Sequence, residues 1–258
     1  MTSAVTLYLR LQVSGWRSFM ILGVYGYQDA GKTTLVEELV RALVKKGYRV
    51  SSIKHTPHKK SIDCEGKDTW RHWFAGSDPV VFSSEIETSI IKHSRIPLDD
   101  IAKLVMKEFQ PDVLIIEGCK EGSFPKVAIG KVEPRKGTVM KNPSMKRLVA
   151  YIETEVAVER VKAKLPGLDC GKCGFTCENL ARAIVAGKKN LNECRELPDT
   201  GVSVTVGGHS IAMGRFASTI VDETVRGMLS SLKGYVPGRD VEIRLEAKSN
   251  STKRRRKR

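Results

Sequence analysis

One eight-residue stretch constrains this chain more than any other: Gly26-Tyr27-Gln28-Asp29-Ala30-Gly31-Lys32-Thr33 fits the pattern G-x4-G-K-[ST]. The apolar run over 19–25 reads as a buried strand, and residues 32–46 place apolar side chains at helical spacing. Strand, loop and helix together are the context in which such a loop cradles phosphates. The glycines let the backbone curl so that successive N–H groups face one anion, and the helix N-terminus adds partial positive charge. Lys32 is placed to reach the outer phosphates and Thr33 to offer its hydroxyl to Mg2+. Asp29, Ala30 and Thr34 complete the expected nucleotide-binding set with Gly26 and Gly31.

At 258 residues the chain can hold one large or two small domains. With 41% hydrophobic and 28% charged residues it has the balance of a globular protein. No apolar run approaches the roughly 20 residues of a membrane helix. The first 19 residues carry Arg10 and Arg17 without a long apolar stretch, so they do not read as a signal peptide. A cytoplasmic protein with no membrane partner is the expectation. Net charge is +15, but the tail 248–258 supplies seven cations and no acids, leaving 37 basic against 29 acidic residues, or +8. Such a tail reads first as a solubilising disordered end; nucleic-acid contact is the lesser reading.

Residues 1–19 read as an N-terminal extension, because Met20 stands at the start of the first core strand. Strands are expected over 19–25, 48–55, 79–83, 88–92, 111–117 and 126–129, with helices over 32–46, 68–75 and 98–109. This alternation predicts an α/β fold, a three-layer P-loop NTPase domain over 20–165 with a mainly parallel sheet. Its end is expected as a strand over 148–153 and a closing helix over 156–165. A small α+β four-cysteine module then occupies 166–247. It has a helix near 178–186, a hairpin turning at Gly207-Gly208, a helix over 215–232 and a strand over 241–245.

A P-loop needs a carboxylate at a neighbouring strand end to orient the metal. Glu117 follows four apolar residues at the C-terminal end of its strand, where ligands bind in open α/β sheets. Lys54 and His55 end the second strand at the same edge and are assigned to a second ligand, followed by the cationic loop His58, Lys59 and Lys60. His55 and His58 have a zinc-like spacing but no third ligand nearby. In the segment 66–76, Trp70, Trp73 and Phe74 share a face read as core. Asp68, Arg71 and His72 share the polar face, where an Asp–Arg pair is the simplest reading. No N-K-x-D motif is present, so guanine and adenine are not separable on these residues.

The loop 26–34, Ile53-Lys54-His55, Gly66-Lys67-Asp68-Thr69-Trp70-Arg71-His72 with Ala75-Gly76, and 112–120 with Pro125-Lys126 resemble the MobB family in order and spacing, over roughly 20–155. Its members are adapter proteins of molybdopterin-guanine dinucleotide biosynthesis. The resemblance implies a GTP-binding homodimer with weak GTP hydrolysis at most. It would assist the guanylyltransferase that attaches GMP to the molybdenum or tungsten pterin. By that likeness Lys32 and Glu117 are the residues nearest to catalysis, and Lys54, His55, Asp68, Arg71 and His72 line the nucleotide or the molybdopterin. Cys64 and Cys119 depart from the family pattern and add thiols near the site.

The second strong signal is Cys170-x2-Cys173-x3-Cys177-x16-Cys194. Four thiols in a glycine-rich stretch around a helix start suit a metal centre better than paired disulfides. Gly171 and Gly174 are expected to relieve crowding, and the helix start at Cys177 to favour thiolate charge. The segment resembles the small [4Fe-4S] domain of corrinoid and electron-transfer proteins, with one residue fewer between the second and third cysteines. A [4Fe-4S] cluster is the leading reading and Zn2+ the alternative. Rivals for the whole chain are a small-molecule kinase, a P-loop metallochaperone and a nucleic-acid-binding module acting through the tail.

Overall fold

The structure, a computed structural model, describes residues 7–11, 19–206 and 209–245. The chain divides into two units, one spanning 19–152 and the other 1–18 with 153–258. Strand β1 (Leu7–Leu11) belongs to the second unit, and the first opens with β2 (Met20–Gly26) and α1 (Lys32–Lys45). Next come β3 (Val50–Lys54), α2 (Asp68–Phe74), β4 (Val80–Ser83), β5 (Thr88–Ile91) and α3 (Leu98–Phe109). The first unit closes with β6 (Val113–Glu117), β7 (Lys126–Ile129), β8 (Thr138–Lys141) and the start of α4 (Met145–Lys162).

Five of these strands form a parallel sheet in the order β3-β6-β2-β7-β8. The inner strands read as continuous apolar runs because both of their faces are covered. Every residue of β6 is buried, whereas edge strand β3 has only half-buried and exposed residues. From β2 the chain crosses to β3 through α1 and returns to β6 through α3, so right-handed crossovers put the two helices on opposite faces. Leu114 and Ile116 pack with Ala102, Leu98 and Val105 of α3. Residues of the other parity, Val113 and Ile115, then face the side of α1, whose Val36, Leu39 and Leu43 are buried. The expected α/β P-loop architecture is what the chain forms.

Three expectations are corrected and one strand is added. Strands β4 and β5 pair only with each other, antiparallel, and stand apart from the parallel sheet. No residue of α2 is buried: Trp70 stacks on Phe74 at 5.0 Å, Trp73 stacks on His93 at 4.2 Å, and Phe74 is 74% exposed. These aromatics cover one another and are not core. The segment expected as a strand over 148–153 lies inside α4, where Leu148, Val149, Ile152 and Val156 are buried at helical spacing. Finally β8, unanticipated, closes the sheet edge.

In the second unit α5 (Cys177–Val185) is followed by a 3-10 turn over Leu191–Glu193, β9 (Val202–Val206), β10 (His209–Ile211), α6 (Arg215–Ser230) and β11 (Val241–Leu245). Strand β1 runs antiparallel between β9 and β11, so residues expected as an extension supply a strand of a four-stranded sheet. The Gly207-Gly208 turn and the basic tail lie outside the described residues. Val158, Leu165, Leu180, Ala181 and Cys194 form this unit's buried cluster. Among the described residues no helix is long and apolar enough to cross a membrane.

Candidate functional site

Three strand ends build the floor of the candidate site. Residue 117 stands opposite Val24 of β2 and Lys54 of β3. Its carbonyl accepts the His55 N–H at 2.8 Å, and the Gly118 N–H reaches the Val24 carbonyl at 2.8 Å. Gly118 has φ +90°, and a Cβ there would fall 2.2 Å from the His55 carbonyl oxygen. Only glycine permits both that conformation and that approach. The Glu117 carboxylate, 6% exposed, is thereby fixed at the edge where the loop 26–33 emerges.

The loop itself leaves β2 against β7, since a Cβ on Gly26 would meet the Ile129 carbonyl at 2.4 Å. Asp29 and Gly31 take left-handed conformations, φ +55° and +83°, which turn the chain into α1. That helix begins without a side-chain cap and without an acid in its first turn. Its N-terminal N–H groups are therefore left for an anion. Lys32 folds back to donate its ammonium to the Tyr27 carbonyl. Thr33 Oγ1 donates to Glu117 Oε1 at 2.8 Å, placing hydroxyl and carboxylate side by side as oxygen donors for a divalent cation.

Not every expected residue joins this group. Lys54 does, but as an ion-pair partner of Glu117, its neighbour across the strands. His55 contributes its backbone N–H to the Glu117 carbonyl. Asp68 and Arg71 of α2 face each other at 4.0 Å, exposed, and no hydrogen bond or ion pair among the described residues links them or His72 to the loop. Cys64 is exposed. Cys119 is buried with the α3 cluster, and its Sγ contacts the Glu121 carbonyl at 2.6 Å. Burial pushes its thiol pKa up. It is core, not a ligand. Lys120, part of the segment 112–120 but given no role on sequence, holds its ammonium 5.4 Å from the centre of the Tyr27 ring.

In the second unit Cys177 opens α5, and Thr176 caps it by accepting from the Asn179 N–H at 3.1 Å. The Asp169 carboxylate accepts the Cys177 N–H at 2.6 Å and holds the preceding turn. Gly171 and Gly174 have φ +70° and +80°, and a Cβ on either would meet nothing within 4 Å. Their glycines answer to conformation, not to the crowding that spacing suggested. Cys173, Cys177 and Cys194 share one apolar cluster. Burial pushes the Cys194 thiol up, and charge on Cys173, Cys177 and Cys170 pushes it further. Cys194 thus lies within electrostatic reach of the other three cysteines. Among the described residues no three such side chains are arranged for a single metal ion. A tetrahedral zinc would need sulfurs about 3.8 Å apart. Flanking the thiols, Lys162 donates to Glu178 and holds its carboxyl below the usual carboxylate range.

Comparison with known proteins places these two sites in context. Residues 21–154 match the family described as "Molybdopterin guanine dinucleotide synthesis protein B", and residues 165–195 match one described as "Putative Fe-S cluster". A relative from Methanocaldococcus jannaschii is 30% identical over 88% of this chain and 97% of its own length. Its name is "Putative molybdopterin-guanine dinucleotide biosynthesis adapter protein". A Haemophilus influenzae adapter protein of the same name stem is 36% identical over 45% of this chain and 66% of its own. The Bacillus subtilis MobB crystal structure aligns with TM-score 0.43 and 23% identity, covering 52% of this chain and 98% of that one. The match over 21–154 takes in the phosphate loop, Lys54 and Glu117, and the archaeal relative extends the likeness along nearly the whole chain. On both counts, the chain belongs to the molybdopterin guanine dinucleotide synthesis protein B family.

Proposed function

We propose that this protein is a GTP-binding adapter in molybdopterin-guanine dinucleotide biosynthesis that carries an iron-sulfur cluster. The observation that carries the nucleotide half is the Thr33 hydroxyl set 2.8 Å from the Glu117 carboxylate beside an uncapped helix N-terminus. In this reading the loop N–H groups and Lys32 hold the phosphates of GTP. Thr33 and Glu117 hold Mg2+, which neutralises phosphate charge when bound. Lys54 forms an ion pair with Glu117 beside that position. The role is positioning: the protein presents GTP at the strand ends to a separate guanylyltransferase that joins GMP to molybdopterin. The adapter name of the archaeal relative, similar over 97% of its length, supports that role over a kinase. A cytoplasmic homodimer is part of the proposal.

Cys170, Cys173, Cys177 and Cys194 are proposed to hold a [4Fe-4S] cluster, which would supply one-electron chemistry or a structural tie. Its support is the match of residues 165–195 to the family described as "Putative Fe-S cluster", together with the apolar cluster that Cys173, Cys177 and Cys194 share.

Calorimetric titration of GTP and ATP, with and without Mg2+, tests the first half. GTP is expected to bind more tightly than ATP, and Lys32→Ala to abolish binding while leaving iron content intact. Wild-type GTP affinity in that variant would refute the assignment. Iron, sulfide and zinc analysis after anaerobic purification tests the second, with about four irons and four sulfides expected per chain. One zinc without iron would replace the cluster with a structural zinc.

A further inference from the structure

Strand β7 opens with a lysine where a buried strand ordinarily has an apolar residue. Lys126 is 2% exposed and lies between Gly23 of β2 and Thr138 of β8. Gly23 gives room to its stem, since a Cβ there would stand 2.8 Å from Lys126 Cγ. The ammonium donates to the Gly122 carbonyl at 2.6 Å and stands 5.8 Å from the centre of the Phe124 ring. Among the described residues no carboxylate pairs with it. A buried cation without a counter-charge is costly, and this one keeps two N–H bonds unspent.

The same side chain lines a cavity of about 660 Å³ whose other cations are Lys120, Arg135 and Lys136. Glu121 is the one acid in that lining, and it pairs with Arg135 at 2.7 Å. Both partners are largely exposed, so a stronger anion can take the guanidinium from it. The volume is that of a site for a small organic molecule. Four cations against one carboxylate, one of the cations rigidly buried, select a dianion with several acceptor oxygens.

We propose that this cavity binds the phosphate monoester of a small organic ligand distinct from the nucleotide on the phosphate loop. Lys126 is its fixed anchor, and Arg135 exchanges Glu121 for the phosphate. The site does not depend on which nucleotide the loop takes.

The test uses the full chain carrying Lys32→Ala, so that the loop cannot be the source of phosphate binding. Phenyl phosphate and inorganic phosphate are the probes, followed by titration calorimetry. Phenyl phosphate is expected to bind, more tightly than inorganic phosphate. Adding Lys126→Met or Arg135→Gln is expected to weaken it at least roughly tenfold. In the wild-type background saturating GTP with Mg2+ should leave its affinity within about twofold. Arg135→Gln, at an exposed position, decides the matter if Lys126→Met does not fold. Displacement of phenyl phosphate by GTP would overturn the proposal, as would unchanged affinity in both variants, equal affinity for inorganic phosphate, or no binding. Persistent GTP binding by Lys32→Ala alone would count against the nucleotide assignment and not against this cavity.

Discussion

Gly118 shows how a single residue holds the candidate nucleotide site. It combines φ +90° with a backbone approach that leaves 2.2 Å between a hypothetical Cβ and the His55 oxygen. Gly118→Ala must distort both the turn and the β3–β6 contact, and a loss of roughly 2 kcal/mol is expected in chemical denaturation. Because Glu117 is clamped by the same backbone, Mg2+-dependent GTP affinity should fall with it. Unchanged stability and unchanged affinity together would sink the clamp. Glu117→Gln separates charge from shape. It can keep the contact with Thr33 while losing the negative charge, so the gain in GTP affinity on adding Mg2+ should disappear. The same gain as wild type would remove Glu117 from the metal. Thr33 and Glu117 were legible in the sequence because Thr33 closes the phosphate-loop motif and Glu117 ends an apolar strand. Lys54 was legible only by location: its pairing with Glu117 depends on strand register, which no local pattern shows.

At the scale of elements, legibility followed burial on two faces. The strands β2 and β6 announced themselves as apolar runs, and α1 and α3 by helical periodicity. Strand β8 did not, because Thr-Val-Met-Lys at a sheet edge carries no apolar alternation. The segment 148–153 within α4 reads as a strand because its five-residue apolar stretch suits either period, although Leu148, Ile152 and Val156 are spaced for a helix. Strand β1 carries Leu7, Leu9 and Leu11 in strict alternation, yet its partners β9 and β11 lie about two hundred residues on. In the second unit α4 and α5 are joined by ions. Arg182 meets Glu155 at 2.8 Å and Glu178 at 2.8 Å, and Lys162 meets Glu159 at 2.7 Å and Glu178 at 2.8 Å. A partly exposed network of this kind contributes about 1 kcal/mol through a multiply bonded arginine. Arg182→Ala is therefore expected to lower the melting temperature of this unit by several degrees, by a margin that narrows in 1 M salt. A margin that salt leaves untouched would assign the loss to packing of the arginine stem.

For the whole molecule the question is whether the two units act as one. Each has its own buried cluster, Leu114 and Ile116 with α3 in the first and Leu180 and Cys194 in the second, and the division falls within α4. Cys194 is where cluster binding and folding of the second unit meet. It is 7% exposed and packs beside Val158, Leu165 and Leu180, so Cys194→Ser removes a ligand and places a hydroxyl among apolar side chains. Iron content should drop sharply, and calorimetry should show the second unit melting earlier, by an amount set by the lost metal as well as the lost packing. The first unit keeps Thr33, Glu117 and the loop without any contribution from those cysteines, so GTP affinity should stay within about twofold of wild type. Wild-type iron content in the variant would exclude Cys194 as a ligand. A GTP affinity that falls with the iron would give a different molecule, one in which the state of the cluster sets nucleotide affinity. By reciprocity GTP would then alter cluster stability by the same free energy, which the same two measurements would reveal in reverse.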